Sequence, residues 1–497
     1  VVVTVDGSPL PSPEPDALAG VRVQQRLSLP DLCELTFRDP PGPLAGADRL
    51  APGAQLRVTV AGHDVALFAG QVTAYQHVYG PSGAHEVRVR AYDGLHQLRK
   101  TQTVRAHVQV RLPALAEEFV APLGLSVQAA ADGPTWDRFI QHRRSDLEVL
   151  QELADRAGLY FHLREQVLHV FSLDGIGAPV ELSLGQSLRE VTVDVTGEPA
   201  CRSVTASAWD PLGVVTITAD VSQPRSGRTA SASVSPAAVN GDGIVSLSDE
   251  VAQTDEQITA LAQAELDRRL AREVTLWGLA DGDPRLRPGS RVRAVNVDGP
   301  VAGEYVLTSV DHTIDDRIGF ASEISTTPPS PRPRSAAAVA TIAAVSRVDD
   351  PDGLGRVRVS LPAVGDVETE WMQVVSVGAG SGKGLVSTPD VGDQVLVLLA
   401  HGDPAQGVVL GGLFGAGGAP DPGVEGGAVR RHTWITAGGH RIGLDDSTHS
   451  IRVENAGGSY VELLPERLVV HAAGDLTLEA PGRTVRIAGM AVDFQQA

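Results

Sequence analysis

Five short segments near the C-terminus constrain this chain more than any other feature of its sequence. They are Ile451–Val453, Val461–Leu463, Leu468–Val470, Leu476–Leu478 and Val485–Ile487. In each, the first and third residues are apolar and the middle one is usually polar. Side chains alternate across a strand, so each segment carries one apolar face and one wet face. The segments recur about every eight residues, the length of a short strand and a tight turn. Their inward set is Ile451, Val453, Val461, Leu463, Leu468, Val470, Leu476, Leu478, Val485 and Ile487. Each such side chain stabilises a fold by roughly 1.5–3 kcal/mol when buried. Three-residue strands of a single chain have nothing to bury them against and are marginal alone. Three copies wound about one axis form a triangular β-prism with a dry interior, and closure removes most free edges. The alternatives are a single-chain parallel β-helix, which needs coils of about twenty residues or more, or a small sandwich.

The rest of the chain divides around two breaks. Thr326–Ser335 (TTPPSPRPRS) holds four prolines and cannot sit inside a sheet. Gly415–Gly427 (GAGGAPDPGVEGG) is too rich in glycine to hold a regular element. With 497 residues, 53 of them Gly and 33 Pro, and 4% aromatics, the chain suits several turn-rich β domains. The expected fold class is mainly β: tandem β-barrels with accessory helices, an OB-fold barrel and the trimeric β-prism. The expected domains are a first β-barrel over 1–100, an α/β insert over 101–190, and a second β-barrel with a helix over 191–327. A Pro-rich linker (328–338), an OB-fold barrel (339–414), a Gly-rich linker (415–427) and the trimeric β-prism (428–497) follow.

Two stretches of the N-terminal part repeat one another. Arg49–Val58 (RLAPGAQLRV) parallels Arg285–Ala294 (RLRPGSRVRA), each a Pro-Gly turn launching an alternating strand. Each is followed by a strand opening on Ala-Gly, at Ala69-Gly70 and at Ala302-Gly303. This predicts two similar small barrels. Between them Ser145 and Glu148 make a capping box, and Leu147, Leu150, Leu153 and Ala154 line one face of a helix closed by Gly158. Strands are expected at Leu159–Leu163 and Val167–Leu173. A second helix is expected from about Asp249 to Arg272, with a stripe of Ile258, Leu261, Ala262, Leu266 and Leu270. Both helices are expected to pack against the barrels. The short strands of Ala337–Phe414 fit a small closed barrel of the oligonucleotide/oligosaccharide-binding type.

The order of these parts resembles the VgrG-type spike proteins of type VI secretion and extracellular contractile injection systems, and the fused hub and needle of contractile phage tails. The most specific segments are Val348–Val359 (VDDPDGLGRVRV), Pro389–Val397 (PDVGDQVLV), His401–Pro404 (HGDP) and Val409–Leu413 (VLGGL). Ala91–Leu98 (AYDGLHQL) and Ser145–Leu150 (SDLEVL) are similar to the family's N-terminal hub. The resemblance implies a mechanical homotrimer in which two barrels per chain make a pseudo-sixfold ring, and the missing catalytic motifs make a non-enzymatic role the expectation. That ring would match a hexameric inner tube protein, with baseplate proteins around it, a PAAR-type tip protein on the needle and effector cargo as a further partner. The target membrane would be met only transiently, at puncture. The chain's end at Gln496-Ala497 and the lack of a His-x-His pattern favour a separate tip.

Other chemistries find little support. A net charge of −20 argues against nucleic-acid binding. No apolar run spans a bilayer and no signal-like N-terminal segment stands out, so assembly in the cytoplasm within a phage tail-like particle is expected. Cys33 and Cys201 are too far apart in sequence to suggest a disulfide framework or a metal cluster, and they read as packed thiols. Gly378–Gly384 (GAGSGKG) falls one residue short of a phosphate loop, and Gly384 replaces its Ser/Thr. Asn240–Ser246 with Asp249 resembles part of a calcium loop, but its first ligand position is Ala238. His432, His440, His449 and His471 lack close metal-ligand spacing. No catalytic residue, metal or cofactor is expected. The rival readings are a trimeric tail adhesin or fibre, which calls for an exposed aromatic cluster on the tail, and a tail-associated cell-wall hydrolase.

Overall fold

A computed structural model describes residues 1–45, 48–210, 213–248, 252–332 and 337–495. The chain forms two compact units, 1–411 and 412–497.

In the first unit, one eleven-stranded sheet carries both barrels. Leu18–Arg26, Leu32–Arg38, His85–Tyr92, Phe68–Tyr79, Gln55–Thr59 and Val2–Val5 lie side by side and enclose a core of Val21, Val23, Leu35, Phe37, Val58 and Val89. On the other side of Leu18–Arg26, Ser309–Asp315 pairs antiparallel from Ser309↔Arg26 to Asp315↔Gly20. The sheet then continues through Gly319–Ser325, Val274–Asp281 and Leu188–Val195, over a second core that includes Leu188, Leu276, Val292, Tyr305 and Ile324.

The repeated stretches occupy matching places. Pro52-Gly53 and Pro288-Gly289 turn with both glycines at positive φ, +106° and +83°. Gln55–Thr59 pairs antiparallel with Phe68–Tyr79, and Ser290–Val295 with Gly303–Val306. The copies have drifted in register. Gly70 faces Leu56, whereas Gly303 faces Ala294, two residues further along the repeat. Both glycines are forced by backbone approach. A Cβ on Gly70 would stand 2.2 Å from the Tyr92 carbonyl oxygen, and one on Gly303 2.7 Å from the Ala230 nitrogen.

The strand Ile176–Ser183 pairs in parallel with Ser290–Val295, so the second barrel's strands begin before the expected boundary at 190. The α/β insert forms a separate core of Leu112, Phe119, Trp136, Leu150, Leu153 and Phe161. Its helix Asp146–Ala157 carries the expected capping box at Ser145 and Glu148, and Gly158 closes it in the left-handed conformation. The second helix spans Asp255–Glu273; the expected start at Asp249 lies outside the described residues. Neither helix packs on a barrel core as expected. Ile258, Leu261, Ala262 and Leu266 pack with Cys201, Val204, Ala206 and Ala219 of the hairpin Ser203–Asp210/Val215–Val221. That hairpin, inserted into the second barrel, presents small side chains that a helix can approach closely, whereas the barrel interiors are filled by their own strands.

A buried polar cluster joins the barrels to the insert. Asp31 accepts hydrogen bonds from Gln25 (2.7 Å) and meets Nε2 of His162 on the insert at 3.0 Å. Asp93 accepts from the Asp31 amide at 3.1 Å and caps Leu95 at 3.0 Å. Burial, and then the neighbouring Asp31 carboxylate, raise the Asp93 pKa well above the usual carboxylate range. Arg164, from the same insert strand as His162, donates to the Pro288 carbonyl (3.0 Å) in the second barrel's Pro-Gly turn. Removing one member of such a cluster strands the rest in a low dielectric. We expect Asp31→Ala to destabilise the hub by about 3–5 kcal/mol in urea unfolding. A loss below about 1 kcal/mol would show that the cluster is solvated rather than structural.

The OB barrel is built from Val339–Arg347, Arg358–Leu361, Gln394–Leu399 and Gly407–Gly412, with Val345, Val357, Val359, Val395, Val397 and Val409 inside. Of the Pro-rich linker, residues 333–336 lie outside the described residues.

Candidate functional site

The second unit contains a five-stranded antiparallel meander, Arg431–Ile435, Arg441–Asp445, Ser450–Glu454, Tyr460–Leu464 and Arg467–His471. Its register aligns the apolar side chains in two rows across the sheet. One row runs Trp434, Ile442, Val453, Val461, Val470; the other runs His432, Leu444, Ile451, Leu463, Leu468. Directly opposite residues on neighbouring strands point to the same face, so both rows share one face. Every apolar member of these rows is exposed in the single chain.

The opposite face is mostly polar, with Ile435, Leu464 and Val469 set among charged and aromatic side chains that pair with one another. Arg452 pairs with Glu454 (3.0 Å) and Glu462 (3.5 Å) and lies 3.7 Å over the Tyr460 ring, which stacks on His471. Ahead of the sheet, Asp421 accepts from Arg431, Arg441, Thr433 (2.9 Å) and the Gly423 amide (3.0 Å). The Gly-rich stretch is therefore not devoid of regular structure as expected. Val424–Glu425 pairs with Ala428–Val429 across the positive-φ glycines Gly426 and Gly427.

Of the expected inward residues, Ile451, Val453, Val461, Leu463, Leu468 and Val470 are thus brought together. Leu476 lines a concavity of about 580 Å³ with Trp434, Ile442, Val453, Val461 and Val470. Leu476–Leu478 and Val485–Ile487 form no strand here, contrary to the expected pattern, and Leu478, Val485 and Ile487 are exposed. These segments lie after the last paired strand, and among the described residues no strand pairs with them. Trp434, Ile442 and Leu444 belong to the same face and were not expected. The signal was present, because Ile442-Gly443-Leu444 repeats the apolar–x–apolar pattern.

A second constellation fixes the OB barrel to the hub insert. Arg138 donates to Glu370 (2.7 Å) and to the Glu368 carbonyl (2.9 Å). Arg358 pairs with Glu368 (3.2 Å) and Glu370 (2.9 Å) while lying over Trp371. The loop of the DDPDGLGR segment is organised by one carboxylate. Asp350 accepts from the amides of Asp352, Leu354 and Arg356 and binds the Arg356 guanidinium at 2.7 and 2.9 Å. These bonds, Arg356 foremost, hold its pKa far below the carboxylate norm.

The two loops that resemble ligand sites are turns. Gly380 and Lys383 exchange backbone hydrogen bonds, closing a tight turn, and Asp242 accepts from the Ile244 amide at 3.0 Å. Among the described residues, no cluster of three or more His, Cys, Asp or Glu could hold a metal, and no helix is long and apolar enough to cross a membrane.

Residues 25–318, more than half of the chain, match the phage tail baseplate hub family (GPD). The chain belongs to that family. Residues 341–414 of this hub match the type VI secretion system/phage-baseplate injector OB domain. Its fold is shared with solved structures of low identity. A VgrG complex with PdpA from Francisella has a TM-score of 0.55 at 8% identity, over 95% of the hub and 87% of that chain. The c3393 protein of E. coli, a type VI secretion component, has 0.52 at 15% identity, over 83% of the hub and 99% of that chain. The prophage MuSo2 43 kDa tail protein from Shewanella oneidensis has 0.50 at 16% identity, over 65% of the hub and 96% of that chain. No curated protein matches the hub by sequence. Hub and OB domain in one chain give a structural hub-spike role, as the motif resemblance implied, and the family's members are parts of phage tail-like particles.

The strap ahead of the tail sheet titrates in a defined window. The Arg431 guanidinium, Thr433 and the Gly423 amide lower the Asp421 pKa to about 2. A depressed carboxylate stabilises the fold fully above its unfolded pKa of about 3.9 and loses that contribution as pH falls through the folded value. Protection of the Gly423 amide against hydrogen exchange, relative to its intrinsic rate at each pH, should therefore be high at pH 4 and fall toward pH 2. Equal protection at both pH values would mean that Asp421 does not anchor the strap.

Proposed function

We propose that this hub is the central spike of a contractile injection machine, a homotrimer whose tail faces close into a β-prism needle. The observation that carries the reading is the two-row apolar face of Trp434–Val470. Exposed apolar patches beyond a few hundred Å² mark interaction surfaces on soluble proteins, and this one backs onto a polar face that already satisfies its own charges. Three copies bury the rows against one another and leave the Arg452–Glu462 face in water. Leu476, Leu478, Val485 and Ile487 extend the same interior once neighbouring chains supply strand partners. The domain limits given above fit this plan, with 1–327 as the hub, 339–414 as the OB collar and 428–497 as the needle.

In this reading two barrels per chain, three chains per particle, adapt a hexameric inner tube to a threefold needle. Baseplate proteins surround the hub, a PAAR-type tip protein caps the needle, and effector cargo or a partner such as PdpA for the Francisella VgrG rides on it. The protein is assembled in the cytoplasm, acts mechanically rather than as an enzyme, and meets a target membrane only at puncture.

Native mass measurement tests this directly. The expected mass is three times that of the 52.0 kDa chain, and Val453→Asp with Leu463→Asp should shift the protein to monomer without altering hub unfolding. A monomeric parent chain would falsify the reading. A trimer that survives the double substitution would place trimerisation outside the tail face.

A further inference from the structure

The hairpin Phe68–Tyr79/His85–Tyr92 carries four ring side chains that no core absorbs. Tyr75, His77 and Tyr79 alternate along one strand and so share a face. Tyr79 sits directly opposite His85, and His77 lies diagonal to it, opposite Val87. Nδ1 of His77 and Nε2 of His85 are 3.0 Å apart, with the two imidazoles within 18° of parallel. Each imidazole is held by a tyrosine. The Tyr79 ring stacks on His85 at 4.8 Å and 8°, and Tyr75 meets His77 edge-on at 5.6 Å. Tyr79 is 74% exposed, so its ring is spent on orienting His85 rather than on packing.

We propose that His77 and His85 form a two-nitrogen chelate for a divalent transition metal of tetragonal preference, Cu(II) foremost. The hydrogen-bond spacing of 3.0 Å brings both nitrogens within chelating reach, and the affinity order carries the choice of metal. With metal–nitrogen bonds of about 2.0–2.1 Å, nitrogens 3.0 Å apart subtend about 94° at the ion. That is the cis angle of a square-planar or tetragonal site. A tetrahedral ion such as Zn(II) needs the nitrogens about 3.35 Å apart. Two imidazoles suit Cu(II) and Ni(II), and the general affinity order places Cu(II) highest.

Binding needs no net proton release from the neutral pair. The ring whose bridging nitrogen bears hydrogen moves it to its other nitrogen, and both lone pairs turn from each other toward the ion. Among the described residues no third His, Cys, Asp or Glu joins the pair. Water completes the coordination, leaving positions that a ligand atom from outside the chain can take. Tyr75 and Tyr79 act as positioning residues. The site lies on the first barrel and does not depend on the trimeric reading of the tail.

The test is calorimetric titration of the full chain with CuCl2, NiCl2 and ZnCl2 in a non-coordinating buffer. Because the chain has 14 histidines, the readout is the difference from His77→Gln and His85→Gln, whose folding is checked by circular dichroism. Each substitution should weaken the tightest Cu(II) site by at least about tenfold, and Tyr79→Ala should weaken it less. Electron paramagnetic resonance of the one-equivalent Cu(II) complex should show coupling to two imidazole nitrogens in the parent and to one in either variant. Cu(II) binding unchanged in His77→Gln or in His85→Gln overturns the proposal, as does a tightest site that prefers Zn(II).

Discussion

The hub hangs on one strand pairing. Leu18–Arg26 has two partners, Leu32–Arg38 inside its own barrel and Ser309–Asp315 from the second. Without the second pairing the two barrels would be separate bodies joined by the insert. With it they share a sheet, and Arg22–Asp311 adds an ion pair across the seam at 3.1 Å. Exposed as it is, that pair contributes at most about 1 kcal/mol. The backbone ladder and the cores on either side hold the seam. The cluster of Asp31, Asp93 and His162 then fixes the insert against the first barrel, and Arg164 fixes it against the second.

This layering explains how binding surfaces and structure are divided. The hub's charged residues are largely consumed internally: Arg138 and Arg358 hold the OB barrel, Arg356 and Asp350 shape its loop, and Arg225 binds Asp267 while donating to the helix-ending carbonyls of Ala157 and Gly158. The tail sheet, by contrast, presents two aligned rows of exposed apolar side chains. A net charge of −20 opposes nonspecific association through such a face.

Much of this was legible in the sequence, for reasons that can be named. The capping box at Ser145, the glycine stop at Gly158 and the alternation of Val357 and Val359 are local signals, and the chain obeys them locally. The Pro-Gly repeat is legible because a Pro-Gly turn launching an alternating strand is a local signal, and Gly53 and Gly289 both take the positive φ that such a turn needs. Six of the tail residues on the apolar face follow from period-two alternation alone. The placement of the helix Asp255–Glu273 was not legible. Its stripe says that it packs, but not that its partner is a small-residue hairpin inserted into the barrel. The structured strap at Asp421 was hidden behind glycines whose positive φ serves a turn. The histidine pair was hidden as well. Its members are eight residues apart with an intervening turn, and only the hairpin register brings their nitrogens together.

The seam between the barrels also sets an order of events during synthesis. Arg22 and Asp311 are separated by 289 positions, so the outer edge of Leu18–Arg26 is made long before its partner leaves the ribosome. Loop closure over such a distance is slow, and an unpaired edge invites strand addition from other chains. The nascent first barrel therefore spends most of its translation with an open flank. Until Ser309–Asp315 arrives that flank stays open to other strands, so misassembly should be more sensitive to expression rate than to the stability of the finished hub.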